Sequence, residues 1–308
     1  MSTISKKCPL VSVAVITYNS SRTVLDTLES IKAQTYPNIE LIISDDCSKD
    51  ETVALCQEWV ERNKERFTRT EIVTIDNNKG VSANVNRAED ACTGEWMKGI
   101  AGDDLLMPNC IYEYINYVAD KPDVIYIFSR CKAFGANEEL CKRIDTHFDY
   151  DFFTQTPEMQ LRSLIYKGNC VPATTSFYNL NRIKALEIRN DERIPLLDDW
   201  PRWINLLRAG VKFHFINKVL VQYRVGGIST VNRAGMNAYK SSRLFCFLYQ
   251  YPEWVKEDPE KAVERVIKEE MDVYNDLLLT ENELKRIKNS NAYKIGKMLL
   301  KPFKWLKH

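Results

Sequence analysis

The stretch VSVAVITYNSSRTVLDTLESIKAQTYPNIELIISDD, residues 11–46, holds an apolar run, a helical period and a second apolar run ending in two carboxylates. VSVAVIT (11–17) and IELIIS (39–44) read as strands, and between them Val24, Leu25, Leu28 and Ile31 share one helical face. The same alternation continues outward. A helical face of Val53, Cys56, Trp59 and Val60 precedes the strand EIVTI (71–75), and one of Val81, Val85, Ala88 and Cys92 precedes EWMKGIA (95–101). Ile111, Tyr114, Ile115 and Val118 then mark a fourth helix. Four strand-then-helix units in series predict an α/β fold, with a mixed, mainly parallel sheet flanked by helices on both faces.

With 308 residues, 44% of them hydrophobic, the chain can bury a large core and carry an extension. A formal net charge of +1 argues against a surface built for nucleic acid. Nine scattered cysteines without a Cys-x-x-Cys pair point to a reducing compartment and no structural zinc. The basic pair before the first apolar run resembles a secretory signal, but the alternation and the missing cleavage site favour a first strand. Nowhere do about 18 apolar residues run together. A cytoplasmic protein, peripheral at most on a membrane, is the expectation.

In such sheets ligands bind outside the carboxyl ends of the strands. Strand one ends in Thr17, Tyr18 and Asn19, strand two in Asp45 and Asp46, strand three in Asp76, Asn77 and Asn78, and strand four in Asp103 and Asp104. Each group also has an ordinary reading as a turn or helix cap: Ser48 or Asp50 can cap the second helix, and Pro108 suits a first helical turn. Coincidence at all four strand ends favours a common crevice. Paired aspartates there suit Mg²⁺ or Mn²⁺, which prefer oxygen ligands and bridge carboxylates to substrate phosphates. The three histidines, at 147, 214 and 308, form no zinc cluster. The glycine patterns of dinucleotide folds, P-loops and nucleophile elbows are missing.

Residues 11–52, followed by NNKGVSANVNRAEDACTGEWMKGIAGDDLLMP (77–108), resemble the nucleotide-binding half of inverting glycosyltransferases of family 2, with the GT-A fold. The resemblance implies roles. Residues 16–19, including Thr17, Tyr18 and Asn19, would line the nucleotide, and Asp46 would accept a hydrogen bond from the base, favouring uracil. Asn86 matches an asparagine of the donor site. Asp103 would face the ribose or sugar, and Asp104 would hold the metal bridging the diphosphate. Cys47 stands where glycine is usual, and Arg87 with Ala88 replaces a glycine-ended pair.

An inverting transfer needs a base to deprotonate the acceptor hydroxyl and a metal to stabilise the departing diphosphate. LLDDWPRWINLLRAG (196–210) resembles the family's acidic helix start, with Asp198 and Asp199 as its pair, Trp203 as its aromatic and Asp199 as the base. Taken alone, Asp199 reads as a helix N-cap. VKFHFINKVLVQYRVGGIST (211–230) reads as two strands and a loop that resembles the family segment closing over the diphosphate, with Tyr223 and Arg224 as its Tyr-Arg pair. Gly226 and Gly227 stand where histidine is common. Thr174, Thr175 and Ser176 are placed near the sugar or acceptor.

A glycosyltransferase domain is therefore expected over 1–232, with its nucleotide half at 1–110 and its acceptor half at 111–232, followed by a helical extension at 233–308. From Lys285 onward the charges are all basic, and Ile295, Met298, Leu299, Trp305 and Leu306 fall near one helical face. Residues 285–308 suit an anionic bilayer, with packing on the same chain or on a second subunit as the alternative. The whole implies a metal-dependent (Mn²⁺ or Mg²⁺) inverting enzyme that moves a hexose or N-acetylhexosamine from a UDP-sugar onto a sugar hydroxyl. Its acceptor would be a lipid-linked polysaccharide precursor of O-antigen or capsule type. A GDP- or dTDP-sugar donor, or a non-catalytic binding subunit, are the alternatives.

Overall fold

The computed structural model describes residues 8–226, 236–269, 271 and 285–286. It divides into two compact units, Met1–Gln250 and Tyr251–His308. The boundary lies at 250, not 232, because Phe245 packs its ring on Trp200 at 4.2 Å and Tyr249 donates a 2.8 Å hydrogen bond to Asp191.

In the first unit the chain runs β1 (Val11–Thr17), α1 (Val24–Lys32), β2 (Ile39–Asp45), α2 (Thr52–Asn63), β3 (Arg69–Thr74), α3 (Val81–Ala91), β4 (Trp96–Ala101), β5 (Leu105–Leu106) and α4 (Cys110–Val118). It continues through β6 (Tyr126–Phe134), α5 (Glu138–His147), α6 (Pro157–Tyr166), β7 (Phe177–Asn179), α7 (Leu180–Ala185), α8 (Asp199–Arg208), β8 (Phe213–Arg224) and α9 (Met236–Phe245). The eight-stranded sheet has the order β3-β2-β1-β4-β7-β6-β8-β5. β3, β2, β1 and β4 are parallel, as are β6 and β8; β7 is antiparallel to β4 and β6, and β5 to β8.

Every residue of β2, and all of β1 but the half-buried Ile16, is buried. This is the pattern of central strands covered on both faces. From β1 the chain moves outward to β2 and β3, then returns to place β4 on the other side of β1, so the switch point lies between β1 and β4. There the loops touch. Gly102 N–H donates to Ile16 C=O at 2.9 Å, and a Cβ on Gly102 would lie 2.9 Å from Thr17 Cγ2.

Two expectations change. α3 lies on β1 and β2 and buries Ser82, Asn84, Asn86 and Glu89 beside Ala83 and Ala88, while Val81 and Val85 stay half-buried; the buried polar side chains are hydrogen-bonded, as Asn84 is to Ser44 and Thr17. Residues 213–224 are one strand, not two. Asn217 and Lys218 resemble a turn but form an irregularity opposite Arg130, whose Nε bonds Asn217 Oδ1 at 2.5 Å.

The second unit contains α10 (Tyr251–Glu257) and helical residues 259–269, with Arg265 stacked over the buried Trp254 ring at 4.4 Å. Lys285 and Arg286 are helical and exposed. The rest of the basic amphipathic segment expected at 285–308 lies outside the described residues, as does Gly227. No helix among the described residues is long and apolar enough to cross a membrane. All nine cysteines are free.

Candidate active site

The loops after β1, β2 and β3 are laced together. Thr17 Oγ1 donates to Asp45 Oδ2 at 2.8 Å, and Ser48 N–H donates to Asp45 Oδ1 at the same distance. Asn19 adopts a left-handed backbone (φ 51°), which asparagine tolerates; its Oδ1 accepts from Lys49 N–H at 2.8 Å. Thr17 is buried and braces the loop, whereas Tyr18 is partly exposed and Asn19 is exposed. Cys47, at φ 67°, occupies the conformation in which glycine is at ease, and its thiol bonds Asp76 C=O at 3.0 Å.

Asp46 is only 2% exposed. Its carboxylate accepts from Lys79 N–H at 3.1 Å, Gly80 N–H at 2.8 Å and the Arg87 guanidinium at 3.3 Å. Arg87, the first of the pair that replaces a glycine-ended one, also bonds Asn84 Oδ1 at 2.7 Å and Asp45 C=O at 3.1 Å. Asp46 thus holds the third loop.

Asn86 is committed elsewhere. Its Nδ2 donates to Asn190 C=O at 3.0 Å and Glu192 Oε1 at 2.8 Å, and its Oδ1 accepts from Asn190 N–H at 3.0 Å. Two positions along a helix is about 200°, so Asn84 points the other way and donates to Thr17 C=O at 3.1 Å. Trp203 is likewise not a crevice residue: it is 1% exposed and packs edge-on against Phe128 at 5.6 Å. Large aromatic area makes the core its natural place.

The acidic pair after β4 splits into two environments. Asp104 is 1% exposed; its Oδ2 accepts from Thr174 Oγ1 at 2.6 Å and its Oδ1 from Arg224 N–H at 2.8 Å. Burial, then the neighbouring Asp103 charge, push the Asp104 carboxyl above the ordinary range. Asp103 is partly exposed, and burial raises its carboxyl too, opposed by the Arg224 charge. Arg224 Nε bonds Asp103 C=O at 2.7 Å, its NH2 bonds Asp26 at 2.9 Å, and its guanidinium covers the Phe134 ring at 4.6 Å. Tyr223, one residue earlier, packs partly buried against the core.

This donor set fits a hard divalent cation, since Asp103 offers carboxylate oxygens to which no other described residue donates a hydrogen bond. Among the described residues no third His, Cys, Asp or Glu completes a metal cluster. Mg²⁺-type ions are commonly bound by one or two carboxylates with water and substrate phosphate.

The second acidic pair starts α8. Asp198 occupies the cap position without a side-chain capping bond, and Asp199 Oδ1 accepts from Trp200 N–H at 2.6 Å while Oδ2 accepts from Asn169 Nδ2 at 3.1 Å. Burial, then the Asp199 charge, raise the Asp198 carboxyl. α8 is tied to α3 by a buried ion pair, Arg202 to Glu89 at 2.6 Å, with Tyr178 OH donating to the same carboxylate. Upstream, Val81 N–H bonds Pro195 C=O at 2.9 Å and Ser82 Oγ bonds Ile194 C=O at 2.8 Å.

Sequence reading passed over Lys98 and Asn169, and placed Thr174 only near the sugar or acceptor. Lys98 is fully buried in β4, with its Nζ on Thr174 C=O at 2.6 Å and on Gly99 C=O. Burial pushes its pKa down to about 8. A lysine inside the apolar run WMKGI was the signal available. Residues 169–174 then join the acidic pairs: Asn169 bonds Asp199, and Thr174 bonds Asp104. Five residues reach at most about 17 Å.

Residues 12–180 match the model of glycosyl transferase family 2. The UDP-Glc:alpha-D-GlcNAc-diphosphoundecaprenol beta-1,3-glucosyltransferase WfaP of Escherichia coli is 28% identical over 225 residues, covering 70% of this chain and 77% of WfaP. Two solved structures share the fold. Residues 1–349 of Staphylococcus aureus TarS with UDP-GlcNAc align with a TM-score of 0.58 at 17% identity, over 77% of this chain and 67% of that one. Pyrobaculum calidifontis mannosyltransferase PcManGT, with GDP-Man and Mn²⁺, aligns with a TM-score of 0.58 at 17% identity, over 82% and 67%. Against a longer TarS chain the overlap is 39% of that chain. With its β1–β4 switch point, its acidic pair after β4 and a family match across more than half its length, this chain has the GT-A fold and belongs to glycosyl transferase family 2.

Proposed function

We propose that the protein is an inverting glycosyltransferase that moves a hexose or N-acetylhexosamine from a UDP-sugar to a sugar hydroxyl on a lipid-linked polysaccharide precursor. The observation that carries this reading is the reach of residues 169–174, which bond Asp104 at one end and Asp199 at the other. Two acidic pairs bonded by one short segment suit a reaction that needs a leaving group neutralised and an attacking hydroxyl deprotonated. UDP is a donor nucleotide in the names of WfaP and of the TarS complex, and a diphosphoundecaprenol acceptor is in the name of WfaP. A GDP-sugar is the second reading, favoured by the GDP-Man bound to PcManGT.

Asp103 is assigned to the cation ahead of Asp104, because no other described residue donates to its oxygens, whereas each oxygen of Asp104 already accepts one hydrogen bond, from Thr174 and Arg224, and keeps one lone pair. A divalent cation bound there would supply charge to the departing diphosphate. Arg224, beside Asp103, adds a fixed positive charge at the same place. Asp199 would accept the proton of the acceptor hydroxyl, and direct displacement on an α-linked donor gives a β product. Asp46 and Tyr18 stand on the loops proposed to receive the base.

The test is transfer itself. Purified protein with Mn²⁺, a panel of UDP- and GDP-sugars and a synthetic GlcNAc-diphospholipid should give one glycosylated lipid by mass spectrometry. Asp199→Asn should lower its rate by about 10²–10⁴-fold while donor binding persists. Equal rates in Asp199→Asn would remove that residue from the chemistry. The basic segment 285–308 is proposed to meet an anionic bilayer, and unchanged liposome sedimentation after its deletion would refute that.

A further inference from the structure

The carboxylate of Asp199 is held by a side chain that is itself held. Asn169 Oδ1 accepts Val171 N–H at 3.2 Å, which fixes the orientation of the amide and turns its Nδ2 toward Asp199 Oδ2, 3.1 Å away. Gly168, at φ +114°, makes the turn into Asn169, a backbone that a residue with a Cβ adopts only under strain.

The segment is pinned beyond that contact. Asp149 N–H donates to Cys170 C=O at 3.1 Å. Further along, Thr175 C=O accepts from the buried Tyr114 hydroxyl at 2.5 Å, and Thr174 C=O accepts from Lys98 Nζ at 2.6 Å. Lys98 deserves its place by chemistry: an alkyl side chain would fill the same apolar volume without the cost of a buried charge, but only a donor can hold a carbonyl. Asn169 is therefore mounted on a length of backbone anchored to the sheet.

We infer that Asn169 is a positioning residue for the transfer reaction, aiming the carboxylate of Asp199 and favouring its ionised form through the hydrogen bond to Oδ2. The inference rests on the reading of Asp199 as the base. Trp200 N–H donates to Asp199 Oδ1, and the adjacent Asp198 carboxyl, which also feels the Arg202 charge, is raised by the Asp199 charge. The Asn169 amide reaches Asp199 Oδ2 from a different part of the chain, 30 positions away. A hydrogen bond to the charged form of a carboxylate lowers its pKa, and removing the donor raises it.

The experiment uses the full chain with Asn169→Ala and Asn169→Gln. The Asp199 carboxyl is titrated by ¹³C NMR, a readout that needs no activity. The acid limb of the kcat profile and the affinity for Mn²⁺·UDP are measured alongside. Asn169→Ala should move both the Asp199 titration and the acid limb to higher pH by about 0.5–1. It should lower kcat about tenfold or more and leave Mn²⁺·UDP affinity within about twofold. Asn169→Gln, which keeps the amide, should recover part of both effects. An unmoved Asp199 titration in Asn169→Ala would overturn the inference, as would an equal loss of donor affinity and rate with no pH shift, the mark of a merely structural role. If the unmodified protein binds no nucleoside diphosphate, the glycosyl-transfer reading fails, and the NMR titration still decides whether Asn169 sets the charge of Asp199.

Discussion

Arg202 of α8 and Glu89 of α3 form an ion pair at 2.6 Å with both side chains buried, and the Arg202 guanidinium lies 5.0 Å from the Tyr178 ring. The pair joins the helix that begins with Asp199 to the helix that begins beside Asp46, so the acidic helix start is referenced to the strand-end loops through a charge contact.

Breaking it from one side leaves a buried carboxylate alone. Arg202→Met should cost about 3–5 kcal/mol in urea unfolding, and the double variant Arg202→Met/Glu89→Gln should recover much of that loss. A double variant no more stable than the single would mean the pair is not what α8 depends on.

Gly80 joins the same two regions by contact. It sits at φ +91°, and a Cβ there would lie 2.5 Å from Pro195 Cβ and 2.7 Å from Pro195 C=O. Gly80→Ala should destabilise the protein by about 1–3 kcal/mol and displace the 194–199 segment. The check is a thermal melt together with the transfer rate, which should fall further than stability alone explains.

Lys98 gives a pH dependence with a definite sign. Burial lowers its pKa from 10.5 to about 8, so between those values the unfolded chain binds more protons than the folded one. Its contribution therefore opposes folding below pH 8 and is relieved as pH rises toward 10.5. Urea stability of the unmodified protein, taken as a difference from Lys98→Met, should rise by about 3 kcal/mol between pH 7.5 and 10.5. A flat difference would place the ammonium in a more polar setting than the structure gives it.

The two aspartates after β4 should separate in calorimetry. Asp103→Asn should abolish the Mn²⁺ dependence of UDP binding. Asp104→Asn and Thr174→Val should keep that dependence and weaken affinity about 10–100-fold, as changes to groups that orient a ligand do. The reverse ranking would return the cation to Asp104.

Much of the fold was legible because apolar periodicity is a local property. β1, β2 and β4 appeared where the runs VSVAVIT, IELIIS and EWMKGIA predicted them, and the acidic ends of β2 and β4 came with them. α3 was misread for a physical reason. Several of its buried side chains are polar, and Asn86 closes hydrogen bonds with Asn190, 104 positions away, a partner no helical period can reveal. The strand β5 is two residues long and exists only because Leu105 and Leu106 pair with Val221 and Gln222 of β8.

By itself the sequence determined the order of strands and helices and the residue types at the strand ends, since both follow from side-chain period and turn chemistry along the chain. Which of those residues are open to a ligand was decided by the tertiary structure alone. Asp103 and Asp104 are chemically identical neighbours. They differ because Thr174 and Arg224, 70 and 120 positions from Asp104, each donate to one of its oxygens and not to those of Asp103, and hydrogen bonds across such separations exist only once the sheet has assembled.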